Sequence, residues 1–277
     1  MTTLSTSAGT VAYDSRGSGD PVVLLPSGGH EQHDYDEIRE LLPGGFRASA
    51  STGRATAGTV PFTELRLAQV IEELLESLTP CGAVLVGHSV GGNVAVRLAI
   101  RRPDLVKGLM IIGGGLEESR LPARVFCALV SRPWFTRRVY PMLSPGLRAP
   151  AHCRRPPGAG QHHRDHAHRP GGEGGHRDLA QLQPPRARPP GAGGKITAPT
   201  VLAWGRHDPI LPLRAGETAR DLIPGSRLVA IDSGHLPHTT SPAAVAAELT
   251  SLANTAFDGG SRVNDVQYNP PATKEQQ

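Results

Sequence analysis

The pentapeptide Gly87-His88-Ser89-Val90-Gly91 is the part of the chain best suited to chemistry. It reads G-x-S-x-G. It follows the apolar run Ala83-Val84-Leu85-Val86 and precedes a helix-like stretch, Gly92 to Ala99. Strand, sharp turn and helix together make a nucleophile elbow, with Ser89 in a strained turn and its hydroxyl exposed. Side chains at positions 87 and 91 would collide with the neighbouring strand and helix, which is why both are glycine. The helix that starts after Ser89 aims its first amides and its positive dipole end at the place where an oxyanion would form. Val90 is the expected first oxyanion donor.

Two more groups stand at the ends of apolar runs. Thr200 to Gly205 reads as a buried strand that runs into Arg206-His207-Asp208-Pro209. Asp208 is placed to orient an imidazole. Arg227 to Ile231 reads as the next strand and leads to Asp232-Ser233-Gly234-His235-Leu236-Pro237-His238. His235 is the expected base. Near the N-terminus, the apolar run Pro21 to Leu25 opens into Pro26-Ser27-Gly28-Gly29-His30, where Gly28 is the expected second oxyanion amide. Ser89, His235 and Asp208 then suit nucleophilic catalysis: His235 takes the serine proton, Asp208 fixes the imidazole tautomer, and an acyl-enzyme forms and is hydrolysed.

These stretches resemble the α/β-hydrolase fold superfamily in its small esterase, lactonase and C–C hydrolase branch, over roughly residues 9–113 and 195–254. The resemblance implies an α/β fold, a mostly parallel sheet with helices on both faces and a cap inserted over the site. It implies a serine hydrolase acting on a small ester, thioester or lactone. A C–C bond hydrolase or perhydrolase on the same triad is the alternative, as is an inactive, damaged hydrolase. No cofactor and no metal are needed for this chemistry. A serine nucleophile disfavours dehalogenases and epoxide hydrolases, whose relatives use Asp there. Two departures stand out. Relatives carry His-Gly where this chain has Pro26-Ser27, and they carry an Asp-x-x-Gly-x-Gly turn that is missing here.

The elements that must position these groups alternate between strand and helix signals, as a covered parallel sheet requires. Leu67, Ile71, Leu74, Leu75 and Leu78 share one helical face, with Thr63 as a possible cap and Pro80 beyond the end. Leu109 to Ile112 is a further strand, and Pro242 suits the first turn of a last helix. No apolar run approaches the length of a membrane span, no secretory leader is evident, and Cys81, Cys127 and Cys153 are an odd, sparse set. A cytoplasmic protein with no membrane and no nucleic-acid partner is expected.

Residues 144–194 break the pattern. They hold ten Gly, nine Pro, eight Arg and six of the twelve His, with only three acidic residues. Their net charge of +5 exceeds the +4 of the whole chain, so the basic character belongs to this segment and not to the hydrolase body. Such a composition offers too little apolar surface to order itself. The run His162 to His168 lacks an ordered frame for metal ligands. The expected organisation is a core of 1–143 and 195–254, an atypical cap-position segment at 144–194 and a disordered tail at 255–277. A second odd stretch, residues 48–57, lies where the missing turn belongs. We read both stretches as reading-frame shifts in a GC-rich gene. Reading from the third base of the Ala48 codon permits Ile-Gly-Val-Asp-Trp-Pro-Gly-His-Gly, the strand and turn that relatives carry. The cost to expect is a compromised scaffold that lacks one buried strand.

Overall fold

The computed structural model describes residues 1–27, 32–56, 64–114 and 192–258. Eight strands form one sheet in the order β1-β2-β4-β3-β5-β6-β7-β8. The strands are β1 Thr2–Thr6, β2 Gly9–Gly17, β3 Gly19–Leu25, β4 Gly45–Thr56, β5 Ala83–His88, β6 Val106–Ile112, β7 Thr200–Gly205 and β8 Arg227–Ile231. β1 and β2 are antiparallel, and β2 is antiparallel to β4. Every pairing from β4 through β8 is parallel. The helices are α1 Asp36–Leu41, α2 Glu64–Leu78, α3 Val90–Arg101, α4 Leu213–Leu222, α5 Pro237–Thr240 and α6 Pro242–Asp258.

Strand alternation divides the apolar residues between two cores. Val23, Leu25, Leu85, Leu109, Ile111 and Leu202 pack with the predicted face of α2 and with Val94 and Leu98 of α3. Val22, Leu24, Val84, Val86, Met110 and Ile112 pack on the other face with Tyr35, Ile38 and Leu249. Both faces are therefore covered, as a parallel sheet requires.

Residues 48–57 correct one expectation. No strand is lost there, because β4 runs through Thr56, paired with β2 on one side and β3 on the other. Ala48 and Ala50 face one core, while Ser49 and Ser51 are buried on the opposite side. The Ser49 hydroxyl lies 2.6 Å from that of Ser15. The side chains are small, yet backbone ladders run along both edges of the strand and engage its amides and carbonyls. A second correction concerns the tail. Residues 255–258 belong to α6, where Ala256 and Phe257 lie against the core. Residues 259–277, and 144–191 of the odd segment, lie outside the described residues; Ala192 to Lys195 form a 3-10 turn leading to β7.

Candidate active site

Parallel strands leave a crevice beyond their carboxyl ends, and the three expected groups all stand there. β5 delivers Ser89, β7 leads to Asp208, and β8 leads to His235. Ser89 has φ 49° and ψ −112°, and it is the one positive-φ residue other than glycine among the described residues. Two contacts enforce this turn. A Cβ on Gly87 would lie 2.4 Å from the Gly91 carbonyl oxygen, and a Cβ on Gly91 would lie 2.4 Å from that of Leu25. The Ser89 amide donates to the Ile112 carbonyl at 2.9 Å, which ties the elbow to β6. α3 starts at Val90, so the Val90 amide has no acceptor within its own helix. Ser89 and Val90 are both partly exposed at the crevice.

Asp208 is 5% exposed, and both oxygens of its carboxylate are engaged. Oδ1 accepts from the amides of Ile210 and Leu211, both at 2.8 Å. Oδ2 accepts from Nδ1 of His235 at 2.6 Å. With Nδ1 as the donor, Nε2 of the neutral ring keeps its lone pair free to take a proton. The Asp208 loop has its own anchors. Trp204 Nε1 donates to the Leu211 carbonyl at 2.7 Å, and the His207 amide donates to the Ser233 carbonyl at 3.0 Å. The second of these links ties the Asp208 loop to the His235 loop directly.

Gly113 and Gly114, which follow β6, join the two halves of the site. A Cβ on Gly114 would lie 2.6 Å from the Ser89 carbonyl oxygen. A Cβ on Gly113 would lie 3.4 Å from His235 Nδ1 and 3.5 Å from Asp208 Oδ2. The structure thus brings Ser89, Val90, Asp208 and His235 around one strand end. Gly28 lies outside the described residues. Among the described residues, no three His, Cys, Asp or Glu side chains converge as metal ligands would.

Behind Ser89, Asp208 and His235 lies a group that motif reading missed. Tyr35, His238, His88 and His235 form a buried column of rings. Tyr35 stacks on His238 at 5.1 Å, His238 lies 4.4 Å from His88, and His88 lies 4.9 Å from His235. The Tyr35 hydroxyl donates to the Leu25 carbonyl at 3.0 Å and meets the His88 backbone amide. It therefore links the ends of β3 and β5 where the strands open toward the crevice. Burial pushes the Tyr35 phenol well above its ordinary pKa, and the charge of Asp34 adds to this. The hydroxyl stays protonated and remains a donor. His88 stands inside the elbow motif, but only as its variable position. Tyr35 and His238 carry no pattern that marks them in a sequence.

The model of the alpha/beta hydrolase family matches residues 4–248. A Mycobacterium tuberculosis protein, provisionally called the non-heme bromoperoxidase BpoC, is 31% identical over 118 residues. That match covers 40% of this chain and 45% of the relative, so it spans less than half of that protein. A pimeloyl-acyl-carrier-protein methyl ester esterase of Neisseria meningitidis is 27% identical over 254 residues, covering 82% of this chain and 90% of its own. Among solved structures, a thermophilic esterase from Thermogutta terrifontis superposes with a TM-score of 0.72 at 22% identity, covering 92% of this chain and 98% of that one. At that identity the likeness concerns the fold. No helix among the described residues is long and apolar enough to cross a membrane.

Proposed function

Because the chain belongs to the alpha/beta hydrolase family, we propose that it is a serine hydrolase acting on a small ester, thioester or lactone through an acyl-enzyme. The observation that carries this reading is the Asp208–His235 pair. Its 2.6 Å bond lies at the same sheet end as the strained Ser89, and the carboxylate is already held by two amides. Such a pair sets the imidazole with Nδ1 as donor and Nε2 as base. Ser89 Oγ gives its proton to His235 Nε2 as it attacks the carbonyl carbon. The carbonyl oxygen becomes an oxyanion held by the Val90 amide and by an amide of the loop after β3, which we assign to Gly28. The imidazolium, stabilised by Asp208, returns the proton to the leaving alcohol, thiol or ring oxygen. Water then repeats the sequence on the acyl-serine and releases the acid.

The family match, and an esterase relative covered over 90% of its length, support hydrolysis as the reaction type. In this reading the core comprises 1–143 and 195–258. The test is pre-steady-state hydrolysis of short p-nitrophenyl esters and of small lactones by the full chain. The reading expects a burst of p-nitrophenol equal to the enzyme present, which disappears in Ser89→Ala. Turnover that persists in Ser89→Ala would place the chemistry elsewhere.

A further inference from the structure

We infer that His88 is a positioning residue for the base, tying the loop of His235 to the strand that delivers Ser89. The inference rests on the hydrolase reading above and deepens it. His88 is fully buried, and its Nε2 lies 3.0 Å from the backbone carbonyl oxygen of His235. A carbonyl oxygen only accepts, so Nε2 of His88 carries the proton. The donor is spent on the main chain of the base itself. By strand alternation His88 follows Val84 and Val86 onto the α6 face of the sheet, where His238 and then Tyr35 support its ring.

His235 stands on a loop between β8 and α5, and a loop alone does not define a position to a fraction of an ångström. Asp208 fixes the rotation of its ring through Nδ1. That bond acts on the ring, and the backbone of the loop is held through the Ser233 carbonyl, two residues before His235. The His88 bond holds the carbonyl of residue 235 itself, and it does so from the residue next to Ser89 in the chain. One peptide unit, the His88 side chain and one hydrogen bond then join Ser89 to His235, a shorter path than the one through β6, β7 and β8. An ordinary buried histidine would also fill this volume. The geometry distinguishes the two roles, because an apolar ring of equal size fills the space and leaves the His235 carbonyl without its donor.

The test compares His88→Gln, which keeps an N–H donor at similar reach, with His88→Phe, which keeps the ring volume and removes the donor. His88→Met serves as the donorless variant if the phenylalanine form does not fold. Two quantities are read on the folded full-length protein. One is the rate constant for labelling by a fluorophosphonate. The other is the downfield proton resonance of His235 Nδ1, which reports the bond to Asp208 whether or not the protein turns over. A misplaced base loses about 10- to 100-fold in rate, so the donorless variant should label that much more slowly, and its downfield resonance should broaden or vanish. His88→Gln should retain both signals. Equal slowing in His88→Gln and the donorless variant would overturn the proposal, since packing alone would explain it. So would a sharp resonance and a wild-type labelling rate in His88→Phe. A wild-type chain that never labels, but loses the resonance only in the donorless variant, would support the positioning role and sink the hydrolase reading.

Discussion

Asp208 Oδ2 and His235 Nδ1 are 2.6 Å apart, and the other oxygen of the same carboxylate accepts two backbone amides at 2.8 Å each. The carboxylate is thus held by its own loop as well as by His235. The substitution Asp208→Asn tests that arrangement. The amide side chain would keep an oxygen for the backbone amides of Ile210 and Leu211 but would present an NH2 group to His235. The imidazole would then turn to the other tautomer, with its proton on Nε2 and no lone pair for Ser89. We expect Asp208→Asn to fold normally and to lose roughly 10³- to 10⁴-fold in turnover. A loss below about tenfold would show that Asp208 is not the orienting acid.

The positive φ of Ser89 is a local strain that the fold tolerates. Glycine adopts φ 49° without penalty. Ser89→Gly should therefore be inactive yet more stable than Ser89→Ala, by about 1 kcal/mol or about 2–4 °C in melting temperature. Thermal melts of the two inactive variants side by side make the comparison. Equal melting temperatures would mean that the elbow is not strained.

Asp36 secures the segment that carries Tyr35. Burial pushes its carboxyl upward, but hydrogen bonds from His33 and Arg39 and the charges of Arg39 and Arg16 outweigh this and hold it below its ordinary value. A carboxylate depressed in the folded state contributes stability above its unfolded pKa and loses it as pH falls through the folded pKa. Asp36→Asn should cost on the order of 1 kcal/mol at pH 7, given the partial exposure of the pair. The deficit should close as the pH is lowered below about 4. Urea denaturation at both pH values measures it. A deficit unchanged in acid would mean that the charge plays no part.

The elbow, Asp208 and His235 are legible in the sequence because each lies just past an apolar strand, in a short loop with a recognisable residue type. The predicted strands at 83–86, 200–205 and 227–231 all form, and the apolar face of α2 is buried as its spacing requires. The Tyr35–His238–His88 column is not legible. Its members come from three separate elements, and single aromatic residues carry no spacing signal. β4 escapes the sequence for a different reason. A strand of Ala and Ser has no apolar alternation of its own and takes its place from β2 and β3 on either side. The sequence reading ends α6 too early because residues 255–277 are polar and mixed taken together, although Ala256 and Phe257 continue the helical spacing of Leu249, Leu252 and Ala253 and lie against the core.

The small residues of β4 also bear on the gene. The strand is buried between two others, and Ala48, Ser49, Ala50 and Ser51 are all shielded from solvent. Bulkier β-branched residues would ordinarily fill such a space. We expect resequencing of the gene to reveal frame-shifting insertions or deletions flanking the codons for residues 48–57 and 144–194. The restored frame should encode a longer-side-chain strand ending in the Asp-x-x-Gly-x-Gly turn. DNA that encodes the residues as they stand, without such changes relative to close relatives, would end that explanation.

The central claim is that Ser89 is an activated nucleophile, and a fluorophosphonate probe reads this most directly because it reacts with serines that have a working base and oxyanion site. Purified protein should take up one probe per chain, the modified peptide should map to Ser89, and Ser89→Ala should take up none. Folded, soluble protein that remains unlabelled, or label that maps to another residue, would contradict the account.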